Sequence, residues 1–147
     1  TWSSGTAAGT ALWNLNNNGS GLYNSNHYAL NKLNTSSTRQ NLASSYNKSS
    51  WTTITAPGDT FNYTASHSYN GYIYRIRGDS GAGASNVVKK WNGSSWSTPS
   101  AFSESRYNTG AGNINNLLNA VAGSGAAGTT HETKNTLDTN SLGNTTG

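Results

Sequence analysis

Alternation of apolar and polar residues is clearest in the middle of the chain. Thr52-Thr53-Ile54-Thr55 has the β-branched composition of a strand, and Pro57-Gly58-Asp59 after it has the composition of a turn. Asn70-Gly71 tolerates positive φ at both central positions of a tight turn, and the aromatic and aliphatic residues of 72–77 follow it directly. This pattern predicts a β-hairpin centred on Asn70-Gly71.

The strand after this turn also predicts a buried face. Because successive side chains of a strand point to opposite faces, Tyr72, Tyr74 and Ile76 share one face. Arg75 and Arg77 lie on the other face. We therefore expect the first three side chains to be buried and the two arginines to be more exposed.

A second hairpin is predicted around Asn92-Gly93-Ser94. Strand-like residues precede this turn in 87–91 and follow it in 95–98, and Pro99 marks the end of the hairpin or an edge of the sheet. The first third of the chain is rich in Asn and Ser, with apolar residues set singly, which favours short strands joined by turns.

The pattern changes towards the C-terminus. Apolar residues at i, i+3, i+4 and i+7 across 113–122 predict a short helix that ends at Gly123. Residues 123–147, rich in Gly, Thr and Asn, are predicted to be a C-terminal extension. Together these patterns predict an all-β chain: a single β-sandwich or jelly-roll-like domain over residues 1–122, with short strands, long Asn/Gly/Ser loops and at most one short helix.

Composition predicts an extracellular protein. Of 147 residues, 32% are apolar and only 10% are charged, whereas soluble domains typically carry about 25% charged residues. The absence of Cys excludes disulfides and a cysteine nucleophile, and the absence of Met predicts that Thr1 follows a removed export signal. The net charge of +4 is spread thinly, and no window has the apolar length of a membrane span. We expect secretion to the cell surface, with no nucleic-acid partner and no membrane span.

The sequence contains segments that match catalytic motifs, but their spacing differs from that of the enzymes concerned. Gly78-Asp79-Ser80-Gly81 matches the tetrapeptide around the nucleophile of chymotrypsin-like proteases, and Thr64-Ala65-Ser66-His67 loosely matches the segment around their histidine. Only thirteen positions separate His67 from Ser80, whereas those enzymes place the two residues on different β-barrels. Arg77-Gly78-Asp79 is also an integrin-binding tripeptide, but such tripeptides are frequent by chance.

The titratable residues predict no further chemistry. The carboxylates form no pair in a recognisable glycosidase context, and the histidines lack metal-ligand spacing. The residues concerned are Asp59, Asp79, Glu104, Glu132 and Asp138, and His27, His67 and His131. We therefore expect no catalytic residue, no metal and no cofactor.

Aromatic and amide side chains predict contact with sugars. A pyranose ring stacks an apolar face on Trp or Tyr and pairs its hydroxyls with polar groups, so Trp91, Asn92 and Trp96 are candidate sugar-contacting residues. The alternative is that these aromatic residues form the core of a small β-sandwich. Residues 74–77 followed by 90–96 resemble one repeat of the fucose-binding β-propeller lectins, which close from several copies. The sequence is interpreted as holding one partial copy. Six candidate N-glycosylation sites are also present, at Asn18, Asn34, Asn47, Asn62, Asn92 and Asn144.

A structural role is the favoured prediction. A chain with low charge, no disulfides and many small polar residues gains stability by pairing its strands with neighbouring subunits. Residues 1–13 hold a candidate exchanged strand, although an ordinary first strand is the alternative. Its residues are Thr6, Ala7, Ala8, Thr10, Ala11, Leu12 and Trp13. We expect a non-enzymatic extracellular subunit of a filament, pilus-like fibre, sheath or virion fibre that assembles with copies of itself; a carbohydrate-binding, lectin-like adhesion module is the alternative.

Overall fold

The computed structural model describes residues 20–33, 39–114, 117–125, 134–137 and 144–146. These residues form β-strands joined by turns, and none of them is helical. The strands are β1 (Ser20–Tyr23), β2 (Asn26–Leu33), β3 (Arg39–Tyr46), β4 (Trp51–Ile54), β5 (Ala65–Tyr69), β6 (Tyr72–Asp79), β7 (Ala84–Trp91), β8 (Trp96–Ser97), β9 (Gly110–Ile114), β10 (Leu117–Val121), β11 (Lys134–Leu137) and β12 (Asn144–Thr146). The prediction of an all-β chain with short strands is confirmed.

The strands form three antiparallel sheets in strict chain order. Sheet I contains β1 to β4, sheet II contains β5 to β8, and sheet III contains β9 to β12. The first strands of the three sheets are β1, β5 and β9. These inner strands lie side by side, β1 against β5 and β5 against β9. Each sheet therefore starts at a shared inner side, which is how four-stranded blades are arranged around the axis of a β-propeller.

The three sheets pack face to face, as the layers of a β-sandwich do. Tyr28, Leu30 and Ala43 of sheet I form one buried cluster with Ile73 and Trp91 of sheet II. The opposite face of sheet II forms a second cluster with sheet III. It contains Tyr74, Ile76, Val88, Phe102, Leu118 and Ala120. Sheet II is consequently covered on both faces.

The central position of sheet II contradicts the predicted exposure of its arginines. Tyr74 and Ile76 are buried as expected and Tyr72 is half-buried, but Arg75 and Arg77 are also 0% exposed. A strand between two packed sheets has no face in water, so alternation of side chains does not separate core from surface.

The short helix predicted in 113–122 is wrong, because this segment contributes to β9 and β10. Leu118 and Ala120, two positions apart, both pack on sheet II, which is the spacing of a strand. A short apolar run fits a helix and a strand equally well until its neighbours are known. Residues 134–137, within the predicted extension, form β11, which pairs with β10, and residues 144–146 form β12, which pairs with β11.

The hairpin predicted at Asn70-Gly71 is confirmed. Both residues have positive φ, 47° and 76°, and they connect the paired residues Tyr69 and Tyr72. This is the backbone that a two-residue hairpin turn requires, and Asn and Gly adopt it at little cost.

The turn predicted at Asn92 occurs twice in the structure. Tyr46 pairs with Trp51 across the turn between β3 and β4, and 45 residues later Trp91 pairs with Trp96 across the turn between β7 and β8. In both turns an Asn accepts two backbone N–H bonds at its Oδ1: Asn47 from Ser49 and Ser50, at 3.1 and 2.9 Å, and Asn92 from Ser94 and Ser95, both at 2.9 Å. The interpretation that this segment occurs only once is therefore wrong.

A second feature repeats at the same interval. Arg77 and Gly78 have φ of 56° and 131°, and 45 residues later Ala122 and Gly123 have φ of 54° and 100°. Each pair is followed by an isolated antiparallel bridge, Asn62 to Asp79 in one case and Tyr107 to Ser124 in the other. A period of about 40 to 50 residues with four strands per unit is typical of propeller blades.

Gly78 allows the backbone of β6 to approach a neighbouring loop. A Cβ atom there would lie 2.6 Å from Thr64 Cγ2 and 2.7 Å from Asn62 O. We predict that Gly78→Ala lowers the free energy of unfolding by more than about 2 kcal/mol, because it adds a clash with backbone to an unfavourable φ. Gly71→Ala is the matched control, since its φ is also positive but no atom lies within 4 Å. Urea titration followed by tryptophan fluorescence measures both, and equal losses would contradict the role of close approach.

The two asparagine turns make a separate prediction. Asn47→Ala and Asn92→Ala should each lower the free energy of unfolding by about 1 to 2 kcal/mol, because two backbone N–H groups lose their acceptor in each case. Asn24→Ala, at another exposed turn position, tests loss of turn propensity without these two bonds. A loss confined to one of the two turns would contradict their structural equivalence.

Candidate functional site

A cavity of about 390 Å³ lies where the inner strands of sheets I and II meet. Gly21 and Leu22 of β1 line it on one side, and Ser66, His67 and Ser68 of β5 line the other. Its volume is within the range of small-molecule sites, roughly 300 to 1,000 Å³. Its lining combines hydroxyl and imidazole groups with a larger share of apolar surface.

The side chains of β5 alternate between the two neighbouring sheets. Ser68 Oγ donates a hydrogen bond to the carbonyl oxygen of Leu22 in sheet I. His67 points to sheet III, where its Nε2 donates to Asn113 Oδ1 at 3.2 Å. These bonds hold the lining residues against both neighbours, so the cavity has a defined shape.

Ser66 differs from its neighbours on β5. Its Oγ is buried and has no hydrogen-bond partner. A buried hydroxyl without a partner costs about 1 to 3 kcal/mol, so its retention beside a cavity is a reason to consider a ligand there.

Gly21 brings β1 close to sheet II beside the cavity. A Cβ atom on Gly21 would lie 2.8 Å from Ile73 Cδ1. Since Ile73 is 0% exposed and packs in the cluster between sheets I and II, a larger residue at position 21 would separate the two inner strands.

Arg75, on β6 of sheet II, is also buried. Its Nη2 donates to Asp59 Oδ2 at 2.6 Å, and its Cζ lies 4.8 Å from the centre of the Phe61 ring. Burial lowers the pKa of Arg75, and the carboxylate of Asp59 opposes that shift. Asp59 therefore keeps a charge in the core that would otherwise be strongly disfavoured.

Arg77 and Arg106 form a second buried group next to sheet III. The Cζ of Arg77 lies 4.5 Å from the centre of the Phe102 ring, and Arg106 Nε donates to Glu104 at 2.9 Å. Burial and then the charge of Arg106 lower the pKa of Arg77 to about 10, while Glu104 opposes the shift. Because the folded-state pKa lies below the ordinary one, the charge costs stability below pH 10, and this cost falls as the pH rises above 10.

The predicted sugar-contacting residues occupy an outer hairpin away from the cavity. Trp91 is only 3% exposed, with its ring centre 5.3 Å from that of Trp96. Trp96 Nε1 donates to the carbonyl oxygen of Thr55 at 2.7 Å. Asn92 is exposed, but its Oδ1 closes the turn. The two rings therefore pack sheets together, and the geometry does not present them as a stacking surface.

The other predicted sites are distributed as follows. Asn47 and Asn92 are exposed at turns, whereas Asn62 is 6% exposed, which disfavours a glycan there. Asn144 lies in β12, without a described side chain. The candidate exchanged strand at 6–13, together with Asn18 and Asn34, lies outside the described residues.

The protease-like motif is a turn in the structure. Ser80 Oγ donates to the carbonyl oxygen of Gly83 at 3.2 Å, and Asp79 Oδ1 accepts from the backbone N–H of Gly81 at 2.8 Å. His67 is instead bonded to Asn113. These bonds give each motif residue a structural role.

Two features are absent from the described part of the chain. No three His, Asp or Glu side chains in it lie close enough to hold a metal ion. It also contains no helix long and apolar enough to cross a membrane.

No protein-family model matches the chain, and no curated protein matches it. YjhT is among the solved structures whose fold is similar to that of this chain. The TM-score is 0.79 at 12% sequence identity, over 98% of this chain and 48% of the YjhT chain. The chain therefore spans about half the length of YjhT.

No sequence pattern predicts the cavity. Ser66 and His67 belong to the protease-like segment, His67 is also one of the histidines without metal-ligand spacing, and Ser68 belongs to no motif. The signal that could have located them is the 45-residue repeat of the aromatic-Asn-x-Ser-Ser-Trp turn. The repeated turn marks the outer hairpins β3–β4 and β7–β8. The strand that follows each hairpin, β5 or β9, is an inner strand.

We predict that Asp59→Asn lowers the free energy of unfolding by about 3 kcal/mol, because it leaves the guanidinium of Arg75 buried without its counter-charge. Asp79→Asn is the matched control, since an amide oxygen still accepts the bond from Gly81. Chemical denaturation measures both. The double variant Asp59→Asn/Arg75→Met should recover most of the loss, and failure to recover it would contradict the charge argument.

Proposed function

We propose that this protein is a non-enzymatic extracellular recognition module that binds a neutral carbohydrate in the cavity between β1 and β5. The observation that carries the proposal is the described lining of that cavity, where two serine hydroxyls and an imidazole lie beside apolar surface and no described lining residue is a carboxylate, Lys or Arg. Neutral polar groups suit a ligand that is rich in hydroxyls and carries no net charge.

The unpaired hydroxyl of Ser66 supports a ligand of this kind. A sugar hydroxyl both donates and accepts, so it can pair with Ser66 Oγ whichever way that proton points. A phosphate or carboxylate ligand would instead be recognised by Arg or Lys, and the arginines of sheet II are buried with Asp59, Phe61 and Phe102.

The acidic residues support a role without catalysis. Glycoside hydrolysis needs two carboxylates on either side of the bond that is cleaved. Asp59 is bonded to Arg75, Glu104 to Arg106, and Asp79 to the backbone of its own turn. These are the carboxylates within the described residues, and each is committed to a structural contact.

The composition supports placement outside the cell. A chain without cysteine and with only 10% charged residues takes its polarity from Asn, Ser and Thr, as argued from the sequence. A structural subunit that assembles with copies of itself remains the second proposal. It is favoured by the stacking of sequential sheets, each of which uses its faces to contact the next.

A glycan array of neutral sugars, followed by calorimetric titration of any sugar that binds, tests the proposed function. We predict that Ser66→Val and His67→Ala each weaken binding by up to about tenfold, which is the loss of one hydrogen bond. Ser97→Val, on the exposed strand β8, is the control and should leave affinity unchanged.

Asn92→Ala distinguishes the cavity from the outer hairpin. If the sugar binds in the cavity, this variant loses stability and keeps its affinity. Absence of binding to every neutral glycan, or loss of binding in Asn92→Ala with Ser66→Val unaffected, would contradict the proposed site.

A further inference from the structure

Ser66 lies directly beside Arg75 on the face of sheet II that meets sheet I. The two residues are paired across the antiparallel strands β5 and β6, and Ser68 is paired with Ile73 two positions along. Ile73 packs in the cluster with sheet I, and Ser68 Oγ donates to the carbonyl oxygen of Leu22 in β1. Side chains directly opposite each other have Cβ atoms about 5 Å apart. Arg75 is therefore the cross-strand neighbour of Ser66 behind the cavity.

This pair of neighbours holds three buried polar atoms that have no hydrogen-bond partner among the described residues. They are Ser66 Oγ, Arg75 Nε and Arg75 Nη1. Asp59 bonds to Arg75 at Nη2, so it leaves the N–H groups of the other two nitrogens unpaired. A guanidinium donates hydrogen bonds and accepts none. The positive charge beside Ser66 is thus only partly met by hydrogen bonds.

The charge of Arg75 acts on the direction of the Ser66 hydroxyl. A hydroxyl hydrogen rotates to suit its surroundings, and a side-chain dipole orients in the local field of the protein. A buried cation attracts the lone pairs of a neighbouring oxygen and repels its hydrogen, and burial strengthens this effect. Arg75 is 0% exposed. Because Ser66 also lines the cavity, we expect its lone pairs to face Arg75 and its O–H to face the cavity.

The other polar side chains of the described lining already use their hydrogens. Ser68 Oγ donates to the carbonyl oxygen of Leu22. His67 Nε2 donates to Asn113 Oδ1 at 3.2 Å, and a neutral imidazole has only one N–H. Gly21 and Leu22 complete the described lining and have no polar side-chain atom. Ser66 is therefore the side chain of this lining that can donate to a ligand.

We propose that Ser66 is the hydrogen-bond donor of the cavity, that Arg75 is the positioning residue that makes it one, and that the ligand meets Ser66 with an acceptor oxygen. The inference rests on the binding site of the proposed function and narrows the ligand of that site. The contacting atom of the neutral carbohydrate is a carbonyl, ring or hydroxyl oxygen that accepts. An anion is not required, since Asp59 already pairs with the charge of Arg75.

Two small probes of similar size test the donor role of Ser66 without a sugar. Tetrahydrofuran only accepts hydrogen bonds, whereas pyrrole donates through its N–H. Binding of each probe is measured by amide chemical-shift titration of the 147-residue chain. Ser66→Ala should weaken the binding of tetrahydrofuran by about three- to tenfold, the loss of one hydrogen bond, and leave that of pyrrole unchanged. Ser66→Thr keeps the hydroxyl and is the matched control.

Three results would overturn the donor role. They are absence of tetrahydrofuran binding, unchanged tetrahydrofuran binding in Ser66→Ala, and an equal loss for both probes. A negative glycan array beside the expected probe results would contradict the proposed function alone. Binding of a sugar beside any of these three results would contradict this inference alone.

The part played by Arg75 is tested by the ratio of the two probe affinities. Asp59→Asn/Arg75→Met removes the charge, so its preference for tetrahydrofuran should fall towards that of Ser66→Ala. Asp59→Asn alone keeps the guanidinium and removes its counter-charge, so it should retain or increase the preference, and it decides the question if the double variant does not fold. A loss of stability by itself does not change a ratio measured within one folded variant. The parent preference in the double variant, or its loss in Asp59→Asn, would overturn the role of Arg75.

Discussion

Sheet II is packed on both faces, and much of the rest of the structure follows from that constraint. A sheet in water can place polar side chains on one side, but β6 has sheet I on one face and sheet III on the other. Its arginines therefore enter the core and need partners from outside the sheet. The loop after β4 supplies Asp59 and Phe61 for Arg75, and the segment before β9 supplies Phe102 and Glu104 beside Arg77.

The buried arginines of β6 hold in place two connecting segments that contain little apolar surface. The loop after β4 and the segment before β9 are polar and irregular, so hydrophobic burial alone would hold them weakly. A guanidinium at 0% exposure fixes each of them strongly, because removal of either partner would leave a charge in the core. In a chain without disulfides, this is one physical means of joining sheets to the connections between them.

The inner strands, in contrast, require small side chains. Three sheets that converge on one side leave little room there, and the strands at that side carry Gly, Ala and Ser at most positions. Small residues let β1 and β5 approach, as Gly21 does against Ile73, and they leave the space that forms the cavity. The serine hydroxyls of the proposed binding site therefore also follow from the need for small side chains where the inner strands meet.

Local backbone chemistry is what the sequence by itself determined. The turn at Asn70-Gly71 and the turn closed by Asn92 depend on positive φ and on one side-chain oxygen, and both are present in the chain whatever surrounds them. The all-β class follows from the same signals, repeated along the chain.

Tertiary structure decided everything that depends on which faces meet. Apolar spacing in 113–122 fits two structures, and pairing with β9 selected the strand. Trp91 is a core residue, and not an exposed sugar platform, because sheet I covers it. Arg75 and Arg77 are buried because sheets I and III cover the two faces of sheet II. A sequence records the period of its side chains, but whether the second face of a strand meets water or another sheet is set by residues far away in the chain.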